Sequence, residues 1–178
     1  MVQGYAGAGT VEQGGYDYHD GTRATGEDKD FQAGQMIGAM LEYAFRKNTP
    51  LMLYVISDGA LSSNGMIDNS AGGRGKGQWT GDNSDTAATF MLVINPAGAD
   101  RPALTRPTAN QIGYFRPNGS VETAATAIAN NVGLLAQAAV LNYLALHNRV
   151  GDLATVLPMN GLGSGAALDA LVAFQPIV

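Results

Sequence analysis

Two short apolar runs decide most of what this chain can fold into. Leu51-Met52-Leu53-Tyr54-Val55-Ile56 ends in Ser57-Asp58-Gly59, and Thr89-Phe90-Met91-Leu92-Val93-Ile94 ends in Asn95-Pro96. Near-continuous apolar runs of this length, closed by turn residues, fit strands buried on both faces, as in a parallel sheet covered by helices. The expected fold class is therefore α/β: a layered sheet with strands 51–56 and 89–94 as parallel neighbours and helices flanking them. The stretch between them is long enough for a right-handed crossover. Two such strands make a thin sheet. Either weaker strands lie within residues 1–16 and 110–116, or the chain is an incomplete part of a larger fold. The 178 residues suffice for one domain with a real core and are short for two, so residues 1–178 read as a single α/β domain.

Helical patterning fills the rest. Over residues 30–47, Asp30 is a candidate cap, and Phe31, Gly34, Ile37, Gly38, Leu41, Ala44 and Phe45 fall near one face. Arg46 and Lys47 suit the helix end, and Asn48-Thr49-Pro50 stops it. Residues 122–147 are rich in Ala and Leu and poor in charge, which predicts a helix buried on much of its circumference, with Leu134, Leu135, Val140, Leu141 and Leu144 facing the core. Short helices are expected near 151–157 and 165–174. Residues 1–30 read as glycine-rich loop, and residues 59–86 as one long polar, glycine-rich loop of the kind that is usually functional or mobile.

Composition removes several function classes. There is no cysteine, which rules out disulfides, thiol catalysis and cysteine-ligated metals. The net charge is −5 with no basic stripe, so nucleic acid is not an expected partner. No apolar run approaches the ~18 residues of a membrane span, and Met1-Val2-Gln3-Gly4-Tyr5 lacks signal-peptide character.

The remaining polar chemistry is concentrated in the first half. In Gly15-Tyr16-Asp17-Tyr18-His19-Asp20-Gly21, an extended backbone would turn Asp17 and His19 to the same side, giving half of a divalent-metal site; a turn held by Asx hydrogen bonds explains the segment as well. Asp58 stands at the carboxyl end of a strand, where open α/β sheets place functional groups, or it simply opens a turn with Gly59. The segment from Gly72 to Asp85 exposes backbone N–H groups and carries Arg74 and Lys76, but it is no Walker A loop, because Lys76 is followed by Gly77. It lacks the EF-hand pattern too. Gly161-Leu162-Gly163-Ser164-Gly165 has the wrong spacing for a nucleophile elbow. His147 follows an apolar helix and reads as a residue of its C-terminal cap.

The order of these segments resembles a known family. Gly-Tyr-Asp-Tyr-His at 15–19, a helix, a strand ending in Ser57-Asp58-Gly59 and a glycine-rich loop ending at Gly81-Asp82-Asn83 together resemble the C-terminal part of exported bacterial proteins related to the alkaline phosphatase and sulfatase superfamily, known by the label DUF1501. The resemblance covers residues 14–95. It implies that Asp17 and His19 match an Asp-x-His metal pair, and that Asp58 is the acidic ligand after the strand. Gly81-Asp82-Asn83 stands where the family has Asp-His-Gly. No histidine lies between residues 20 and 146, so Asp82 would replace a nitrogen ligand by oxygen, favouring Ca²⁺ or Mg²⁺ over zinc, or else marking a lost activity. The family's nucleophile and further ligands lie in an N-terminal portion without counterpart here. A periplasmic or secreted location is implied by the same resemblance.

The expected function is thus a metal-dependent hydrolase of ester-type bonds, or the C-terminal portion of one. By resemblance, its substrates would be small phosphate or sulfate esters, with Arg74 as the group that meets negative charge during catalysis. A non-catalytic secreted or envelope binding or assembly domain is the alternative; a lactonase or carboxylesterase is a third reading. A homo-oligomer or a missing N-terminal half is the expected partner.

Overall fold

The computed structural model describes residues 7–16, 23–56, 62–72, 74–80, 89–97, 104–106, 110–118 and 120–177. Its elements run α1 (Arg23–Arg46), β1 (Leu51–Val55), β2 (Ser62–Asp68), β3 (Lys76–Thr80), β4 (Phe90–Ile94), α2 (Val132–Leu146), α3 (Leu153–Val156) and α4 (Ala166–Asp169). Helices and small sheets share the chain, so the architecture is mixed α/β.

The parallel arrangement expected of the two apolar strands is not what forms. β1 and β4 pair antiparallel, Leu51 against Ile94 and Val55 against Phe90. An apolar run records burial and not direction. Here the intervening residues fold back on themselves as a second antiparallel pair, β2 with β3, so the chain returns to β1 without crossing over. Both strands are also less covered than a parallel core would make them: every residue of β1 is only half-buried, because among the described residues no further strand lies beside the two-stranded ladder. The expected loop at 59–86 contains this hairpin. Its turn is set by Gly75 at φ 74° and Arg74 at φ 52°, with the Gly75 N–H donating to the Asp68 carbonyl at 2.9 Å and the Ser70 N–H to the Asp68 carboxylate at 2.9 Å. Glycine accepts that left-handed backbone at no steric cost.

The main core surrounds α2. Leu141, Leu144 and Ala138 are buried among Ile128, Leu153, Leu162 and Leu171, with Leu134, Leu135 and Val140 partly buried at its edge. The helix begins at Val132 rather than near 122, because Asn131 caps it: its side-chain oxygen accepts from the Leu134 N–H at 3.0 Å. Gly133 therefore sits in the first turn and bends nothing. A second cluster ties this core to the β1–β4 ladder, where Leu146, Ala173 and Phe174 pack against Met52, Met91 and Val93. Met52 pairs with Val93, and Tyr54 with Met91, so cross-strand partners on one sheet face supply that contact. Asn142 joins the layers. Fully buried, it donates to the Ala138 carbonyl at 2.8 Å and the Leu171 carbonyl at 3.0 Å, and accepts from the Ala173 N–H at 2.7 Å.

In α1 Gly26 and Ala44 are buried and Ala33, Met36, Ile37, Met40 and Leu41 half-buried; Ile37, Leu41 and Ala44 thus face inward as expected, while Phe31, Gly34, Gly38 and Phe45, expected inside, are exposed. The helix carries apolar residues on two faces, and Met36 and Met40 lie on the inward one. Asp30 lies in the body of the helix and does not cap it. Of the weaker strands sought at 110–116, there is only an isolated antiparallel bridge, Phe115 with Val121.

Candidate functional site

The four residues expected to hold a metal, Asp17, His19, Asp58 and Asp82, lie outside the described residues. What the structure describes is the frame on either side of each. Ahead of Asp17, Tyr16 is fixed on α1: its hydroxyl donates to the Lys29 carbonyl at 2.8 Å and stands 2.7 Å from the Gln13 side-chain oxygen. Partial burial, with the Asp30 carboxylate nearby, pushes that hydroxyl above the usual phenol range. Gly15 runs against the same turn; a Cβ there would sit 2.9 Å from the Lys29 side chain.

Asp58 and Asp82 are framed by the two hairpins. Val55 faces Phe90 at the end of one ladder, and Ser62 faces Thr80 at the base of the other. Residues 56–61 and 81–89 are thus the two strands of chain that join the same pair of ladder ends, and each carries one of the two aspartates. Asp58 follows Val55 by three residues and Asp82 follows Thr80 by two.

Arg74 is described directly. It occupies the β2–β3 turn, and its guanidinium lies 3.1 Å from the Glu27 carboxylate in the first turns of α1. Its side chain is 63% exposed, so the pair is screened and exchangeable. The contact brings the hairpin turn to the N-terminal end of α1, the end that follows Asp17 and His19. Glu27 was not legible as a partner. It stands far from Arg74 in sequence, and no spacing rule pairs a helix carboxylate with a turn arginine.

His147 takes the role its position predicts. It is the C-cap of α2, its N–H donating to the Leu144 carbonyl at 3.1 Å, and its ring lies 4.7 Å from that of Tyr143. A stronger electrostatic cluster stands elsewhere. Glu122 accepts from the Arg116 guanidinium at 3.1 and 3.3 Å and from the Thr123 and Ala124 N–H groups, which together lower its pKa to about 2. These bonds close a surface turn and leave no free acid for catalysis. The Tyr54 hydroxyl is buried without a geometrically sound hydrogen bond; burial raises its pKa, and the nearby Thr89 only partly offsets this.

Among the described residues, no three His, Cys, Asp or Glu side chains come together to hold a metal ion, and no helix is long and apolar enough to cross a membrane. No protein-family model, curated protein or solved structure matches the chain.

Proposed function

We propose that the chain is a metal-dependent hydrolase of ester-type bonds, or the C-terminal portion of one, with phosphate or sulfate esters as substrates. One observation carries the reading: the segments bearing Asp58 and Asp82 join the same two ladder ends, Val55 with Phe90 and Ser62 with Thr80. The donor set is three carboxylates and one imidazole, which fits an oxygen-rich site for Ca²⁺ or Mg²⁺ better than a zinc site. A divalent cation bound there supplies Lewis acidity and electrostatic stabilisation for ester cleavage. Asp17, His19, Asp58 and Asp82 are its holders. Arg74 meets an anionic substrate by exchanging Glu27 for it, a substitution of one charge-assisted bond for another.

The test is a panel of phosphate, sulfate, carboxylic-ester and lactone substrates, offered to the protein with and without added divalent metal. Metal-dependent turnover of the first two classes is expected. Turnover of the last two alone would make the chain a carboxylesterase or lactonase, and turnover of none would overturn the hydrolase reading. The second reading is a non-catalytic binding or assembly domain. It is favoured by the aromatic residues that α1 leaves in solvent, Phe31 at 67% and Phe45 at 60% exposure.

A further inference from the structure

The outward face of α1 has a pattern of its own. Phe31, Gly38 and Phe45 recur at seven-residue spacing and so lie along one stripe, opposite the seam of Ala33, Met36, Ile37, Met40 and Ala44 that packs inward. Around Gly34 and Gly38 the surface is open, with nothing within 4 Å of an added Cβ. Gly38 sits midway between the two phenylalanines, which are about 21 Å apart along the axis. We propose that this stripe is a self-association surface, on which a second copy of the chain lays its own α1 antiparallel, with the two helices crossing at Gly38.

The stripe is self-complementary in that orientation. With the dyad at Gly38, Phe31 of each copy meets Phe45 of the other, and the glycine removes the side chain that would otherwise hold the backbones apart. Charge selects the same direction. Asp28 and Arg46 lie on the same flank of the stripe near opposite ends of the helix, and both are exposed. An antiparallel pair sets Asp28 of one copy towards Arg46 of the other, twice, beside the ion pair that Arg46 makes with Glu42 of its own helix at 2.7 Å; a parallel pair would put the two residues on opposite sides of the contact, where they do not meet. Exposed pairs of this kind contribute little affinity, but they fix register and orientation. A two-fold, isologous contact is also the commonest way for like chains to associate.

The chain has no cysteine, so single-cysteine variants report contacts without background. The full chain should sediment as a concentration-dependent dimer. Gly38→Cys should cross-link to itself under mild oxidation. Phe31→Cys should not, but mixed with Phe45→Cys it should give the mixed dimer, while Met159→Cys, fully exposed elsewhere, should stay monomeric. Phe45→Arg should weaken association at least about tenfold, as loss of an aromatic anchor does, with an unchanged circular dichroism spectrum. A wild-type chain that is monomeric at every concentration overturns the proposal. So does self-cross-linking of Phe31→Cys in place of the mixed pair, which would report parallel helices.

Discussion

Helices α1 and α2 are the two long helices described, and they solve opposite problems. α2 (Val132–Leu146) carries no charged residue, and alanines at 138, 139 and 145 let neighbouring segments close on it from several sides, burying even Asn142. α1 (Arg23–Arg46) is charged along its length and buries a single seam, leaving two phenylalanines in solvent. The half of the molecule built on α2 is a core without candidate chemistry. The half built on α1, the β1–β4 ladder and the β2–β3 hairpin is thinly covered, and the proposed site residues Asp17, His19, Asp58 and Asp82 belong to its segments. Burial and the proposed site are thus divided between the regions, and substitutions should separate them.

The largest effect is expected at Leu141. Leu141→Ala removes a fully buried side chain from the centre of the α2 core and should cost about 2–5 kcal/mol in urea unfolding, whereas Ala39→Gln on the exposed side of α1 should change stability by no more than about 0.5 kcal/mol. Equal losses at the two sites would erase the distinction. Asn142→Leu comes next. It leaves the buried Ala173 N–H and Leu171 carbonyl without that partner, at about 1–3 kcal/mol in all, and should loosen the C-terminal segment where it meets the β1–β4 ladder. Hydrogen exchange at Ala173 reads this directly.

A smaller, pH-dependent effect belongs to Glu122. Its folded pKa of about 2 lies below its ordinary 4.5, so its stabilisation is complete above 4.5 and is lost as pH falls through about 2. The difference in unfolding midpoint between wild type and Glu122→Gln should therefore shrink across that acid window. A constant difference would show that Arg116 is not its source. Arg74→Gln is expected to be the mildest, below about 1 kcal/mol, because its pair with Glu27 is exposed. Its use is to sharpen the comparison: stability should hold while turnover of anionic esters falls.

How much of this was legible varies by element. The α2 core could be read from Leu134, Leu135, Val140, Leu141 and Leu144, because a charge-free helix has only one environment that suits it. Strand positions 51–55 and 90–94 were legible as well. Their antiparallel direction was not, since it depends on the β2–β3 hairpin, whose residues Ser62–Asp68 and Lys76–Thr80 are polar and glycine-rich and lack an apolar alternation. The inward face of α1 was legible in part: Ile37, Leu41 and Ala44 face inward as expected, with Met36 and Met40 beside them, while the two aromatic residues of the repeat, Phe31 and Phe45, stay in solvent. In the candidate site, Asp17, His19, Asp58 and Asp82 were nominated by residue type and order. The Arg74–Glu27 contact between the β2–β3 turn and α1 is a tertiary contact with no local signature.

The most direct test of the account is the metal content of the full chain purified without chelators and dialysed against Ca²⁺, Mg²⁺ or Zn²⁺. About one divalent ion per chain is expected, Ca²⁺ or Mg²⁺ in preference to Zn²⁺, retained in His147→Ala and lost in both Asp17→Ala and His19→Ala. A wild-type chain that keeps no metal above background, or whose metal survives both of those substitutions, would contradict the account.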